Sequence, residues 1–264
     1  QEKQMNDVVI LCGGKGSRLS EETVSKPKPM VEIGGMPILW HIMKHYSHYG
    51  CHRFILALGY KGEFIKSFFY NYRIFFSDFT LEMHPKKEPQ IHGVNDESHW
   101  EITFVDTGQS TLKGGRIKRL ESFVQSENFH LTYGDGVSCL NIEKLEEYHS
   151  RHGKVGTVTG VHPPSRFGEI ILDGDTVVHF EEKPQLSTGI INGGYFMFNR
   201  KLFNYLDASE ECDFEFGALQ KIALAGELKV HKYGGFWQCM DTIRERDHLN
   251  KLWESGNPMW KIWE

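Results

Sequence analysis

The spacing of apolar positions changes several times along the chain, and each change marks an element. DVVILC (7–12) is a short unbroken apolar run ending in glycines, as expected of a strand covered on both faces. Farther on, Ile38, Leu39, Ile42, Met43, Tyr46 and Tyr49 recur at helical spacing, between Pro37, which can start a helix, and Gly50, which can stop it. RFILAL (53–58) then predicts a second strand and KGEFIKSFFYNY (61–72) a second helix. EITFVD (101–106), GGRIKRLESFV (114–124), FHLTYGD (129–135) and NIEKLEEYHSRHG (141–153) continue the alternation. The rhythm predicts an α/β fold, Rossmann-like, with a mostly parallel mixed sheet covered by helices. Residues 85–99 interrupt it: they are polar, contain two prolines and have no period, which predicts a surface excursion.

The last third has a different pattern. GEIIL, TVVHFEEK and GIINGGYFMFN, between 168 and 199, read as hairpin strands separated by turn residues, and are expected to form an antiparallel addition to the sheet. TIRERDHLNKLWESG (242–256) predicts a closing helix in which Thr242 and Glu245 have capping-box spacing. One core with an elaborated edge, a single domain over 1–264, is the expected organisation.

Composition narrows the function. Apolar residues make up 39% and charged residues 25%, enough for a substantial core. The formal net charge of −5 argues against a general nucleic-acid or anionic-membrane binder. Any anion must therefore be met by locally placed cations. No apolar run approaches the ~18 residues of a membrane span, and no basic segment followed by an apolar signal core opens the sequence, so a cytoplasmic location is expected. The five cysteines (Cys12, Cys51, Cys139, Cys212, Cys239) contain no C-x-x-C pair and are expected to be reduced and mostly buried. The 14 histidines include no H-E-x-x-H spacing, and His41, His45 and His48 form no ligand set with an acid, so structural or surface roles are expected.

The candidate chemistry starts at LCGGKGSRLSEETVSKPKPM (11–30). Bare backbone N–H groups after a strand suit phosphate oxygens. A dinucleotide fingerprint would need glycine where Leu19 stands, and a triphosphatase loop would need lysine directly after the last glycine, where Ser17 and Arg18 stand. A different nucleotide loop remains, with Arg18 forking onto phosphate and Lys28 adding a compact charge between the stiffening prolines 27 and 29. The alternative is a solvated turn with surface cations. Asp135 in TYGDGV (132–137) ends a strand where α/β sheets place ligand chemistry, and could hold Mg²⁺ or simply make a turn. Asp241 in FWQCMDT (236–242) is a second metal candidate or an ordinary helix-start acid, and Lys183 in FEEKP (180–184) a phosphate ligand or a solvated strand end.

G-G-x-G-S-R-L (13–19) followed by PKP (27–29) resembles the signature of the sugar-1-phosphate nucleotidyltransferases. SEETVSKPKPMVEIGGMPILWHIMKHYS (20–47), TYGDGV, FEEKP, INGGYF (191–196) and FWQCMDT extend the resemblance in family order from Val8 to the terminal WKIWE. Two positions depart from the pattern: Ser17 replaces the commoner threonine and keeps a hydroxyl, and Cys239 stands where proline is expected.

The resemblance implies a nucleotide-binding part at about 6–140, a sugar-phosphate-binding part at about 141–241 and the helix 242–256. It implies that Leu11, Gly13, Gly14, Gly16, Ser17, Arg18 and Lys28 bind nucleotide, with Arg18 and Lys28 catalytic. Gly114 and Gly115 would lie beside the base and Arg116 near the phosphates. Tyr133, Gly168, Glu182, Lys183 and Asn192 would bind the sugar phosphate, and Asp135 and Asp241 the Mg²⁺ cofactor. CTP and glucose 1-phosphate are the implied substrates, with base and sugar resting on the resemblance alone. A homo-oligomer is expected, with the aromatic-rich 68–79 as a subunit contact. Two rivals share parts of this pattern. A nucleotide-sugar sensor that binds without turnover has less need of all five of Arg18, Lys28, Asp135, Lys183 and Asp241, and a metal-dependent glycosyltransferase has no evident use for the 13–19 loop.

Overall fold

The structure, a computed structural model, describes residues 6–84, 87–93, 96–163, 169–173, 175–181 and 189–264. The chain opens with β1 (Val8–Leu11), a single helical turn α1 (Ser20–Thr23) and the small ladder β2 (Glu32–Ile33) and β3 (Met36–Pro37). There follow α2 (Ile38–His48), β4 (Arg53–Leu58), α3 (Gly62–Tyr70), α4 (Tyr72–Phe76), the hairpin β5 (Asp78–Thr80) and β6 (Gln90–His92), and β7 (Glu101–Asp106). The middle of the chain holds α5 (Lys113–Lys118), β8 (Asn128–Tyr133), β9 (Gly136–Ser138), α6 (Ile142–His152) and β10 (Gly156–Val161). Then come the hairpin β11 (Glu169–Asp173) and β12 (Thr176–Glu181), β13 (Ile191–Asn199), a π-helical turn at Phe214–Leu219 running into α7 (Gln220–Leu224), β14 (Leu228–Tyr233), β15 (Trp237–Cys239) and α8 (Ile243–Glu254).

Seven strands form the main sheet in the order β14-β10-β13-β8-β1-β4-β7. β1 is parallel to β4 and to β8, β4 to β7, and β10 to β14, while β13 runs antiparallel to both its neighbours. The expected mostly parallel mixed sheet is therefore present. The antiparallel strands expected between 168 and 199 are present as well, in two places. Among the described residues β11 and β12 pair only with each other, whereas β13 is inserted between β8 and β10 in the main sheet. The reason is in β13's own residues: Tyr195, Phe196, Met197 and Phe198 are all buried, Tyr195 and Met197 in the core on one face and Phe196 and Phe198 in the core on the other. Only a central strand can cover four consecutive large apolar side chains.

β1 divides its residues the same way. Val8 and Ile10 pack under α2, α6 and α8, and Val9 and Leu11 pack against α5, the π-helical turn and α7. The chain leaves β1 toward β4 and β7 on one side and returns to β8 on the other, so the sheet has its topological switch at the carboxyl ends of β1 and β8. This is where open α/β sheets leave a crevice for ligands. The 85–99 stretch contributes β6 and a turn at Asp96–His99 on the surface, and the 68–79 segment leaves Tyr70, Phe75 and Phe76 exposed. Among the described residues no helix is long and apolar enough to cross a membrane.

The C-terminal tail closes the α2 face. Trp260 is buried, stacks on Phe236 with ring centroids 5.8 Å apart, and donates its indole N–H to His41 Nδ1 at 3.3 Å. The opposite nitrogen, Nε2, donates to Ile33 O at 2.8 Å, so the neutral imidazole has a partner for each nitrogen. His45 Nε2 donates likewise to Leu140 O at 2.7 Å. These histidines are structural, as their spacing suggested. Burial pushes the pKa of both His41 and His45 down to about 4. Below the unfolded value near ~6.5 the unfolded chain binds protons that the native state refuses, so stability falls as pH drops from there toward 4. The urea midpoint is expected to fall steadily from pH 7 to pH 5, and a midpoint that stays flat over that interval would contradict this assignment.

Candidate active site at the carboxyl ends of β1 and β8

A cavity of about 1580 Å³ opens at the switch point. Its wall includes Leu11, Gly13, Gly14, Gly16, Ser17, Lys28, Arg116, Tyr133, Asp135, Asn192 and Asp241, residues that lie far apart in sequence. The glycine loop forms one side. Gly16 has a φ of +61°, and a Cβ there would meet Thr23 Cγ2 at 2.9 Å and Lys28 Cβ at 3.1 Å, so the turn that carries the chain toward Lys28 requires glycine. Gly14 faces open space, with nothing within 4 Å of where its Cβ would be.

Lys28 begins a short 3₁₀ turn, Lys28–Met30, between two prolines that restrict its backbone. Its ammonium donates to Asp135 Oδ2 at 2.6 Å and to Asp241 Oδ1 at 2.5 Å. Burial alone would depress the Lys28 pKa, but the charge and hydrogen bond of Asp135, joined by those of Asp241, outweigh it and hold the group above its ordinary value. The lysine is therefore a cation at neutral pH.

The two carboxylates are brought together by β-pairing and a helix cap. β9 pairs antiparallel with β15, placing Cys239 opposite Gly136, and Met240 N–H donates to Asp135 O at 2.8 Å. Asp241 then sits immediately before α8. The Glu245 carboxylate accepts from the backbone N–H of Asp241 at 2.7 Å and of Thr242 at 2.9 Å, and Glu245 N–H donates back to Thr242 Oγ1 at 3.3 Å. The expected capping box thus also fixes the backbone of Asp241.

Arg116 lines the cavity, but its terminal nitrogens are occupied by the protein. They donate to the carbonyls of Gly13, Leu58, Gly108 and Gln109 and to Thr107 Oγ1, at 2.6 to 3.2 Å. The guanidinium ties the glycine loop to the 107–109 segment. Gly114 and Gly115 do not reach the cavity wall. A Cβ on Gly115 would lie 2.2 Å from Ser209 O, and one on Gly114 2.7 Å from Cys212 O, so these glycines allow α5 to pack on the 209–213 segment. Tyr133 donates to Glu215 Oε1 at 2.7 Å and accepts from Asn192 Nδ2 at 3.2 Å. The Arg18 side chain, Gly168, Glu182 and Lys183 lie outside the described residues; the Arg18 backbone is in the Ser17–Leu19 turn.

Sequence reasoning missed Glu215, Lys113 and Trp237. Lys113 pairs with Glu215 and sits 4.5 Å over the Tyr133 ring, and Trp237 donates its indole N–H to Gly193 O at 2.7 Å. Glu215 lies on the π-helical turn, far in sequence from Tyr133, and no local spacing announces the contact. As a metal site, Asp135 and Asp241 offer hard carboxylate oxygens that already converge on one positive group, a donor set that suits Mg²⁺.

The fold and the site together define a nucleotide-handling α/β protein, and the comparisons agree. The chain belongs to the nucleotidyl transferase family, whose model matches residues 7–241, and it is a nucleotidyltransferase. It is 46% identical over 257 residues to the glucose-1-phosphate cytidylyltransferase of Salmonella typhi, an alignment covering 97% of this chain and 99% of that protein. It is 30% identical to the catalytic subunit beta of mannose-1-phosphate guanylyltransferase of Drosophila pseudoobscura pseudoobscura, covering 92% of this chain and 61% of that one. Among solved structures, HddC from Yersinia pseudotuberculosis superposes with a TM-score of 0.69 at 25% identity, covering 94% of this chain and all (100%) of that one.

Because Thr242 secures the first turn of α8, Thr242→Ala is expected to cost about 1 kcal/mol. Urea denaturation checks this, and a midpoint equal to the parent's would show that the box does not hold the turn.

Proposed function

We propose that this nucleotidyltransferase transfers the cytidylyl group of CTP to glucose 1-phosphate, giving CDP-glucose and pyrophosphate. The likeness to the Salmonella typhi enzyme over nearly the whole of both chains supports the base and the sugar. The observation that carries the chemistry is the meeting of Lys28 with Asp135 and Asp241 beside the glycine loop.

An oxygen of the sugar phosphate attacks the α-phosphorus of CTP. The new P–O bond forms as the bond to the oxygen bridging to the β-phosphate breaks, and that electron pair leaves with pyrophosphate. No general base is needed, because a phosphate monoester with a second pKa near ~6 is already largely a dianion at neutral pH. The task of the protein is to hold two polyanions together. The loop from Gly13 to Ser17 presents backbone N–H groups to the triphosphate, and Arg18 adds a fork of donors. Arg116 acts by holding the loop in shape. Lys28 carries a charge that can be shared between the carboxylates and a phosphate oxygen. Asp135 and Asp241 would hold Mg²⁺, which would supply neutralisation of phosphate charge. Tyr133, Gly168, Glu182, Lys183 and Asn192 hold the sugar phosphate, with Glu215 fixing the Tyr133 ring.

Pyrophosphate release from CTP, UTP, dTTP, ATP and GTP, each with a panel of sugar 1-phosphates, tests the reading; CTP with glucose 1-phosphate should give the highest kcat/KM, and another leading pair would replace it. Lys28→Ala, shown to be folded by circular dichroism, is expected to turn over more than about tenfold more slowly. A rate near the parent's would remove Lys28 from the mechanism. Asp135→Ala and Asp241→Ala should each raise the Mg²⁺ concentration needed for half-maximal rate, and an unchanged Mg²⁺ titration would exclude that residue as a ligand.

A further inference from the structure

At the other end of β8, away from the cavity, three side chains with metal-ligating atoms meet. Cys51 comes just before β4, His130 lies within β8 and Glu146 lies on α6. Cys51 is 3% and His130 0% exposed, and the Glu146 side chain 13%. His130 Nε2 is 3.0 Å from Glu146 Oε1, and Cys51 Sγ is 4.0 Å from the same oxygen. All three ligand atoms fall within 4.8 Å of one another. An ion about 2.3 Å from sulfur and about 2.0–2.2 Å from nitrogen and oxygen needs its ligands roughly 3 to 4 Å apart, so small side-chain rotations would bring these three onto one centre. Asn6 Nδ2 also donates to Glu146 Oε1, at 2.9 Å; with the amide turned over, its carbonyl oxygen becomes a fourth donor.

We infer that Cys51, His130 and Glu146 form a second, structural metal site for a borderline divalent ion, Zn²⁺, distinct from the carboxylate pair at the cavity. A thiolate and an imidazole select zinc over magnesium, which prefers an all-oxygen shell. Binding displaces the Cys51 proton to solvent and joins α6, β8 and the entry to β4 through one ion.

Cobalt spectroscopy tests the site. The measurement uses the Cys239→Ala chain, since Cys239 lies in the cavity wall near Asp241, where a thiol could also report. After dialysis against EDTA, titration with Co²⁺ alone is expected to raise a thiolate-to-cobalt charge-transfer band that saturates at about one ion per chain and is erased by one equivalent of Zn²⁺. Adding Cys51→Ala should abolish the band, and adding Glu146→Gln should weaken Co²⁺ binding about tenfold or more. No band, or a band that survives Cys51→Ala, overturns the proposal. If Cys51→Ala does not fold, X-ray absorption of the zinc-loaded Cys239→Ala protein decides: one sulfur with nitrogen and oxygen neighbours supports the site, and a shell without sulfur overturns it.

Discussion

Two carboxylates and one ammonium, held within hydrogen-bonding distance in a partly buried crevice, are the constraint on which the rest of the site depends. Asp135 and Asp241 lie more than a hundred residues apart in the chain and would repel each other if brought together alone. Lys28 makes their approach tolerable, and each of the three is fixed by local means. Prolines stiffen the backbone on either side of the lysine, a backbone hydrogen bond from Met240 holds Asp135, and a helix cap holds Asp241. A protein whose net charge is −5 thus concentrates a cation where polyanions would have to be received.

Topology decides where this happens. β1 and β8 are neighbours because the chain reverses its direction of sheet-building between them, and their carboxyl ends carry the glycine loop and the Asp135 turn. β13 supports the arrangement from the other side of β8. Its four consecutive buried side chains lock the two core layers to each other, and Tyr195 donates to Gly136 O at 2.9 Å, just past Asp135. Arg116 adds rigidity. Because five hydrogen bonds from its terminal nitrogens end on protein oxygens, the glycine loop is held in shape before any anion arrives, which lowers the ordering cost of binding.

Much of this was legible in the chain because its signals are local. The apolar run of β1, the helical spacing between Pro37 and Gly50, and the Thr242–Glu245 box each act within a few residues, and each element formed where its pattern lay. The motif around Lys28 and the two aspartates could be listed as candidates for the same reason. Two readings needed more than local pattern. The run YFMF (195–198) belongs to the expected antiparallel strands, but its place between β8 and β10 follows from the sheet order and not from its neighbours in sequence. Gly114 and Gly115 carry no local signal of the packing they permit, in which their missing side chains accommodate the carbonyls of Ser209 and Cys212 from a distant segment.

The sequence by itself determined the elements, the alternation that makes an α/β sheet, and the residue types able to meet phosphate and metal, since periodicity, capping and turn chemistry are short-range effects. Only the tertiary structure decided that Lys28 bridges Asp135 and Asp241, that Arg116 is committed to carbonyls, that Glu215 reaches Tyr133, and that Cys51, His130 and Glu146 meet in one cluster. Each of those contacts joins positions far apart along the chain. Their distances are set by strand order and helix packing, which no spacing along the chain encodes.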